Sequence, residues 1–364
     1  MSQVIPVAKA YVIGNGKDAT SSIELGAATL LSNCNTLRLK QGRAVAEAFS
    51  CGAVPNIYTI ADFNSMYQQQ RNGKPWRDPV PLPIFFVEEE GGECCSNDFW
   101  CRVCCSPNHP VLLKFYHATP PQPQDSQQLW CLKCGERPDR SYPIKDRGAF
   151  LTVERPGLCQ KWNGCFACNK CCQDEMRMHA GDVGKVGDAG HLDDATLLAH
   201  GMVPKGGGGC TPTVNVMDRS MGEESQEPSF VVEGPTFYGG MVDFCCDTSF
   251  KISRTKGKSG DLGRIVKKIP HGCCGDNGYC RAICSTADTY DIILTQDGAT
   301  SLTPVQKAAV VSEAIHLDYM FFERDGFFLN FEQRGGNQVC TFTLCMCYLY
   351  GCTLPCQIVC QSKE

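Results

Sequence analysis

The stretch "TPVQKAAVVSEAIHLDYMFFERDG" (303–326) decides how the chain folds. Thr303 ahead of Pro304 is an N-cap followed by a first-turn proline, and Gly326 is a stop, so the segment predicts a helix. Its middle is apolar nearly all round: Ala308, Ala309, Val310, Val311, Ala314, Ile315, Leu317 and Tyr319 to Phe322. A helix with no polar face is buried in a large core or in a membrane. A span wants roughly 20 apolar residues. Glu313, His316 and Asp318 interrupt this one, at about 2.5–3.5 kcal/mol for each central charge. The segment predicts a buried helix wrapped by strands, with His316 a satisfied core residue and Asp318 a cap or pairing partner.

The wrapping material lies upstream. "NIYTI" (56–60), "LPIFFVEE" (82–89), "PVLLKFYHA" (110–118) and "GAFLTVERP" (148–156) are short β-like runs broken by turns. "PSFVVEGP", "MVDFCCDTSFKISRT", "LGRIVKKIP" and "TYDIILTQDG" continue the series, with no alternating helices to support a parallel sheet. Residues 118–147 and 181–228 read as loop insertions; "KGGGGC" (205–210) inside the second reads as a flexible tract. "KSGDLGRIVKK" (258–268) reads as a solvated strand edge. Downstream, "VCTFTLCMCYLYGCTLPCQIVC" (339–360) has no charge over 22 residues. That length suits a span, but its Thr, Tyr, Gln357 and Pro355 and the break at Gly351 favour a buried hairpin. The organisation expected is an N-terminal extension (1–35), a barrel domain (36–330) and a Cys-rich C-terminal extension (331–364).

With 364 residues and a net charge of −5, the chain can bury a sizeable core and has no basic field to attract nucleic acid. Its outlier is cysteine, 27 residues, including five adjacent pairs. "MSQVIPVAKAYVIGNGKD" at the start lacks the basic and long apolar regions of a signal peptide, so mostly reduced thiols are expected. "CFACNKCC" (165–172) concentrates Cys165, Cys168, Cys171 and Cys172. Read from residues alone, these could take acyl chains, bind metal, form disulfides or pack inertly. Cys131 and Cys134 with Cys165 and Cys168 supply four thiolates for a structural Zn²⁺ site, the metal alternative. The Gly-rich "GNGKDATS" (14–21) and "GKSG" (257–260) do not fit a phosphate loop. No hydrolase or transferase signature is found among the dispersed histidines.

Several patches, in order, resemble the phospholipid scramblase family. They are "ECCSNDFWCRVCCSPNHPVLLKFYH" (93–117), "LTVERPGLCQKWNGCFACNKCCQDEMRMHAG" (151–181), "FVVEGPTFYGGMVDFCCDTSFKI" (230–252), "GRIVKK" and "KAAVVSEAIHLDYMFFE" (307–323), covering roughly residues 36 to 325. The resemblance implies a tubby-like fold: all-β, a closed antiparallel barrel of about twelve strands around a buried hydrophobic helix. It implies that Cys165, Cys168, Cys171 and Cys172 are palmitoylated, with Lys161 and Lys170 near anionic headgroups. It also implies a weak Ca²⁺ segment along "TADTYDIILTQD" (286–297), matching Thr286, Asp288, Tyr290, Ile292 and Asp297, with Asp291 a substitute ligand for the acid replaced by Thr286. Against an EF-hand, Asp291 and Asp297 stand where Gly and Glu belong. The function implied is Ca²⁺-dependent movement of membrane phospholipids between leaflets, at the cytoplasmic face of a membrane, the plasma membrane first. The other reading is a non-catalytic Cys-rich barrel that serves protein partners in an assembly.

Overall fold

A computed structural model describes residues 25–42, 56–63, 83–90, 109–119, 142–156, 167, 172–185, 188–219, 227–254, 260–269, 288–322, 329–334 and 337–361. Alternation of apolar and polar residues sets the first strand, β1 (Thr36–Gln41), which buries Leu37 and Leu39 and turns Arg38 and Lys40 outward. The chain then meanders through β2 (Ile57–Asp62), β3 (Pro83–Glu89), β4 (Val111–His117), β5 (Leu151–Arg155), β6 (Glu175–Ala180), β7 (Leu197–Met202), β8 (Thr213–Asp218) and β9 (Phe230–Glu233). After β10 (Phe237–Tyr238), which leaves this sheet, come β11 (Thr248–Ser253), β12 (Asp261–Lys267) and β13 (Thr289–Leu294). β1 pairs with both β2 and β13, which closes an antiparallel barrel of twelve strands and leaves it without an edge.

The core helix runs Pro304–Leu317 and continues as a π-helical turn, Asp318–Phe322. Thr303 accepts from the backbone N–H of Gln306 while the Gln306 side chain accepts from the N–H of Thr303, a complete capping box. Every residue from Gln306 to Phe322 is buried. The helix lies against β6, β7, β8 and β13. Since β6 and β13 are six steps apart around the ring of twelve, its side chains meet opposite walls of the sheet. A second helix, Leu25–Asn33, packs Ala27 and Leu31 into the same core. Lys307 ties the two together, donating to the carbonyls of Ser32 (2.9 Å) and Cys34 (3.2 Å) at the end of that helix.

Several sequence expectations change. The 181–228 segment contains β7 and β8, both wall strands, so it is no loop insertion as a whole. "VDFC" is a helical turn, Val242–Cys245, inside a run expected to be strand. β12 is paired on both sides and Lys267 is buried, so this segment is not a solvated edge. Asp297 stands in a short helix, Gln296–Ser301, and is not on the strand.

The C-terminal tail is a hairpin, with β15 (Asn337–Leu349) paired to β16 (Cys352–Gln361). β14 (Leu329–Arg334) and β10 line the other side of β15, making a four-stranded sheet beside the barrel. Tyr350 (φ 46°) and Gly351 (φ 85°) form the two-residue turn, both left-handed, as a primed hairpin turn demands. Val339, Tyr348 and the turn residue Gly351 are buried, whereas Leu349, Tyr350, Leu354, Ile358 and Val359 are exposed. Gly206 to Gly209 all have positive φ and cradle this tip. Tyr350 N–H donates to the Gly209 carbonyl at 2.8 Å, and the Tyr348 hydroxyl donates to that of Gly207 at 3.0 Å. The glycine tract is thus a docking surface made of backbone. Among the described residues no helix is long and apolar enough to cross a membrane.

Candidate functional site

The polar residues that interrupt the core helix are each matched by a partner on the wall. His316 sits between two carboxylates, Nδ1 3.0 Å from Glu313 Oε2 and Nε2 3.2 Å from Asp174 Oδ1. Asp174 also takes a two-pronged pair from Arg155, Nε to Oδ1 at 3.0 Å and Nη2 to Oδ2 at 2.6 Å. All four side chains are essentially solvent-free. Burial alone would push His316 down, but the Glu313 charge, then the hydrogen bonds it donates to Asp174 and Glu313, hold it above its usual value. As an imidazolium it makes the group electrically balanced, two cations against two anions. β7 accommodates the cluster with Gly201, where a Cβ would come within 1.8 Å of Glu313 Oε1.

One turn on, Asp318 accepts from the phenols of Tyr58 (2.8 Å) and Tyr290 (2.7 Å). Burial, then the charge of Asp288, pushes its carboxyl up to about 7 despite both hydrogen bonds. Tyr319 joins the two groups: its ring faces the Arg155 guanidinium at 5.8 Å, and its hydroxyl accepts from Asn56 at 3.1 Å. Lys267 ends the series, 2.7 Å from Asp243, 2.9 Å from Asp288 and 3.8 Å from the centre of the Phe322 ring. These residues form a polar seam inside an aromatic shell of Tyr238, Phe250, Phe321 and Phe322. The seam fixes the helix at one register, and the helix residues that form it are all buried.

The motifs behind the family resemblance fall on this architecture. In "ERP", Arg155 turns inward to Asp174 while Glu154 turns outward to His179 at 3.2 Å. Burial opposes ionisation of Glu154, yet the His179 bond and the Gly190 N–H (2.5 Å) outweigh it, and its carboxyl lies below the usual range. "VEGP" supplies Gly234, where a Cβ would meet the Phe250 ring at 2.4 Å and Pro212 at 2.8 Å. "LDYMFF" supplies Asp318, Tyr319, Phe321 and Phe322 to the seam and its shell.

The calcium segment is spread out. Asp288 faces Lys267, Asp291 is held by Arg38 (2.7 and 3.0 Å) on the outer side, and Asp297 is exposed beyond the strand. Six residues of β13 separate Asp288 from the Asp297 end, about 20 Å at the rise of a strand. The three do not gather, and no His, Cys, Asp or Glu group fit for a metal occurs among the described residues. Cys131, Cys134, Cys165, Cys168 and Cys171 lie outside the described residues; Cys172 is half-buried.

The hairpin carries what the interior does not: chemistry facing outward. A register shift between Thr343 and Cys345 gives β15 one extra residue. Cys345, Cys347 and Leu349 therefore stand opposite Cys356, Leu354 and Cys352, on the face away from Met346 and Tyr348, which pack on the core. Below the shift, Cys340 and Phe342 oppose Cys360 and Ile358 on the same face. One side of the hairpin thus bears six cysteines and aliphatic or aromatic side chains, with no charge. Sequence reading saw the uncharged length but missed this sorting, because the bulge reverses the strand's parity part-way. No family model, no curated protein and no solved structure matches the chain.

Proposed function

We propose that this protein is a membrane-associated, lipid-binding barrel of the phospholipid-scramblase kind, which meets the bilayer through its C-terminal hairpin. The carrying observation is the exposed, uncharged hairpin with Leu349, Tyr350, Leu354, Ile358 and Val359 at its surface. Such a surface gains about 25 cal/mol per Å² of apolar area removed from water, and an aromatic at its tip suits the headgroup boundary. The resemblance in "ERP", "VEGP" and "LDYMFFE" and the closed twelve-strand barrel agree with this reading. Acylation in the 165–172 cluster would add a second anchor, which stable membrane attachment requires. The helix residues and the aromatics around them are buried in one core cluster, so lipid would be handled at the outer surface.

Flotation with phosphatidylcholine/phosphatidylserine vesicles tests the reading. Wild type is expected to float and Leu354→Glu/Ile358→Glu to remain at the bottom with an unchanged circular dichroism spectrum. A dithionite assay of fluorescent lipid in the same vesicles then separates binding from transbilayer movement. Equal flotation of both proteins would overturn hairpin-mediated binding.

A second reading is a non-catalytic barrel built into an assembly. It is favoured by β16, which pairs with β15 alone among the described strands and has a ten-residue outer edge suited to strand addition. Vesicle-independent capture of a partner, lost on substituting β16 residues, would select it.

A further inference from the structure

We propose that Cys345 and Cys356 form a redox site that reacts with low-molecular-weight disulfides, closing a cross-strand disulfide on the hairpin's outer face. The two residues are direct partners in the β15–β16 ladder and stand on the same face of the hairpin. Directly opposed residues in an antiparallel pair have Cα atoms about 4.5–5.5 Å apart, inside the span a disulfide bridges. Closure therefore needs a rotamer change and no movement of the strands. Both are only half-buried, so a small disulfide can reach them. The adjoining bulge at Thr343/Cys345 loosens the ladder where the new bond must settle. Cys340 and Cys360 are also opposed, but at the far end of the hairpin.

The roles within the pair differ. Burial first, then the hydrogen bond and charge of Cys356 and the charge of Cys347, push Cys345 up to about 11. Cys345 lies on the inner strand β15 and Cys356 on the edge strand β16, so Cys356 opens the exchange. The Cys356 proton leaves to solvent and its thiolate attacks one sulfur of the disulfide RSSR. The S–S bond breaks, the mixed disulfide Cys356–SR forms, and RS⁻ departs and is protonated. Cys345 then loses its proton and attacks the Cys356 sulfur, releasing the second RS⁻. The sum is protein dithiol plus RSSR giving protein disulfide plus two RSH, with both electrons passing to the small disulfide. The product joins the two strands across a face whose other groups are apolar.

The site goes beyond the membrane reading and is tested without lipid. Full-length reduced protein is incubated with oxidised glutathione, free thiols are alkylated, and peptides are mapped without reduction. The expected product is a Cys345–Cys356 crosslink lighter by two hydrogens. In Cys345→Ser the reaction is expected to stop with glutathione on Cys356, and in Cys356→Ser no stable adduct is expected on Cys345. Recovery of both wild-type thiols as alkylated residues while other cysteines oxidise would overturn the site. A glutathione adduct on Cys345 of Cys356→Ser, with none on Cys356 of Cys345→Ser, would overturn the assignment of the nucleophile.

Discussion

Tyr290 donates its phenolic proton to Asp318 across 2.7 Å of solvent-free interior, joining the last barrel strand to the end of the core helix. The bond serves an acid that burial and Asp288 hold up to about 7.

That proton has a stability consequence. Asp318 binds its proton more tightly folded than unfolded, so its contribution is most favourable below about pH 4. It is lost as pH rises toward 7. His316, also raised, adds stability below its unfolded value that disappears as pH climbs through its folded one. Glu154 and Glu175, both lowered, act in the reverse sense and lose stability as acid is added. Urea unfolding near pH 5 and pH 7 should show Asp318→Asn gaining on wild type by about 2 kcal/mol over that interval. Parallel curves would refute the raised acid.

Gly201→Ala should destabilise the fold through the helix side of the barrel. Its methyl would occupy the place of the Glu313 carboxylate, which His316 holds in position. A loss of about 1–3 kcal/mol is expected, and Gly201→Ala/Glu313→Ala should lose less than the sum of the single changes. Additive losses would mean the two residues do not meet.

Gly207→Ala should release the hairpin while the barrel survives. An added Cβ would lie 2.1 Å from the Tyr348 hydroxyl and 2.5 Å from the Gly351 Cα, at a φ of +64°. Hydrogen exchange should accelerate over 339–361 and stay unchanged in β4 and β5. Protection retained over the hairpin would show that the glycine tract does not hold it.

Ala309→Asp should abolish soluble folding, because Ala309 is 3 % exposed and packed in the apolar core, where a carboxylate would be desolvated. Thr303→Ala should cost only about 1 kcal/mol, the worth of one cap. Thermal scans of the pair would separate them; a folded Ala309→Asp would mean that this helix face is accessible to water.

The core helix was readable because its apolar residues leave no polar face, and a capping box begins it. Strands such as "PIFFVEE" and "TYDIIL" were readable from β-branched and aromatic content. β6 and β7, "EMRMHA" and "LLAHGM", were not, since methionine, histidine and glycine carry little strand signal. His179, His200 and Gly201 make sense only beside Glu154, Glu175 and Glu313, residues brought close by the sheet. In the Arg155–Asp174–His316 group the Asp174–His316 bond alone joins positions 142 residues apart, beyond any local pattern. The glycine run misled because φ-freedom serves a close docking as readily as a flexible loop.

Closure by β1 sets an order of events during synthesis. Arg38 leaves the ribosome 253 residues ahead of Asp291, its ion-pair partner across the closing seam. Through that interval the first strand has one permanent neighbour, and the inner faces of the wall are uncovered. The helix that fills them is made later still. A growing chain therefore holds an open, sticky sheet until nearly the whole barrel exists, and then closes at a single step. Such long-range pairing slows folding and invites association between unfinished chains. A truncation ending before residue 303 should consequently be made as an aggregate and rescued by coexpression of the missing helical segment.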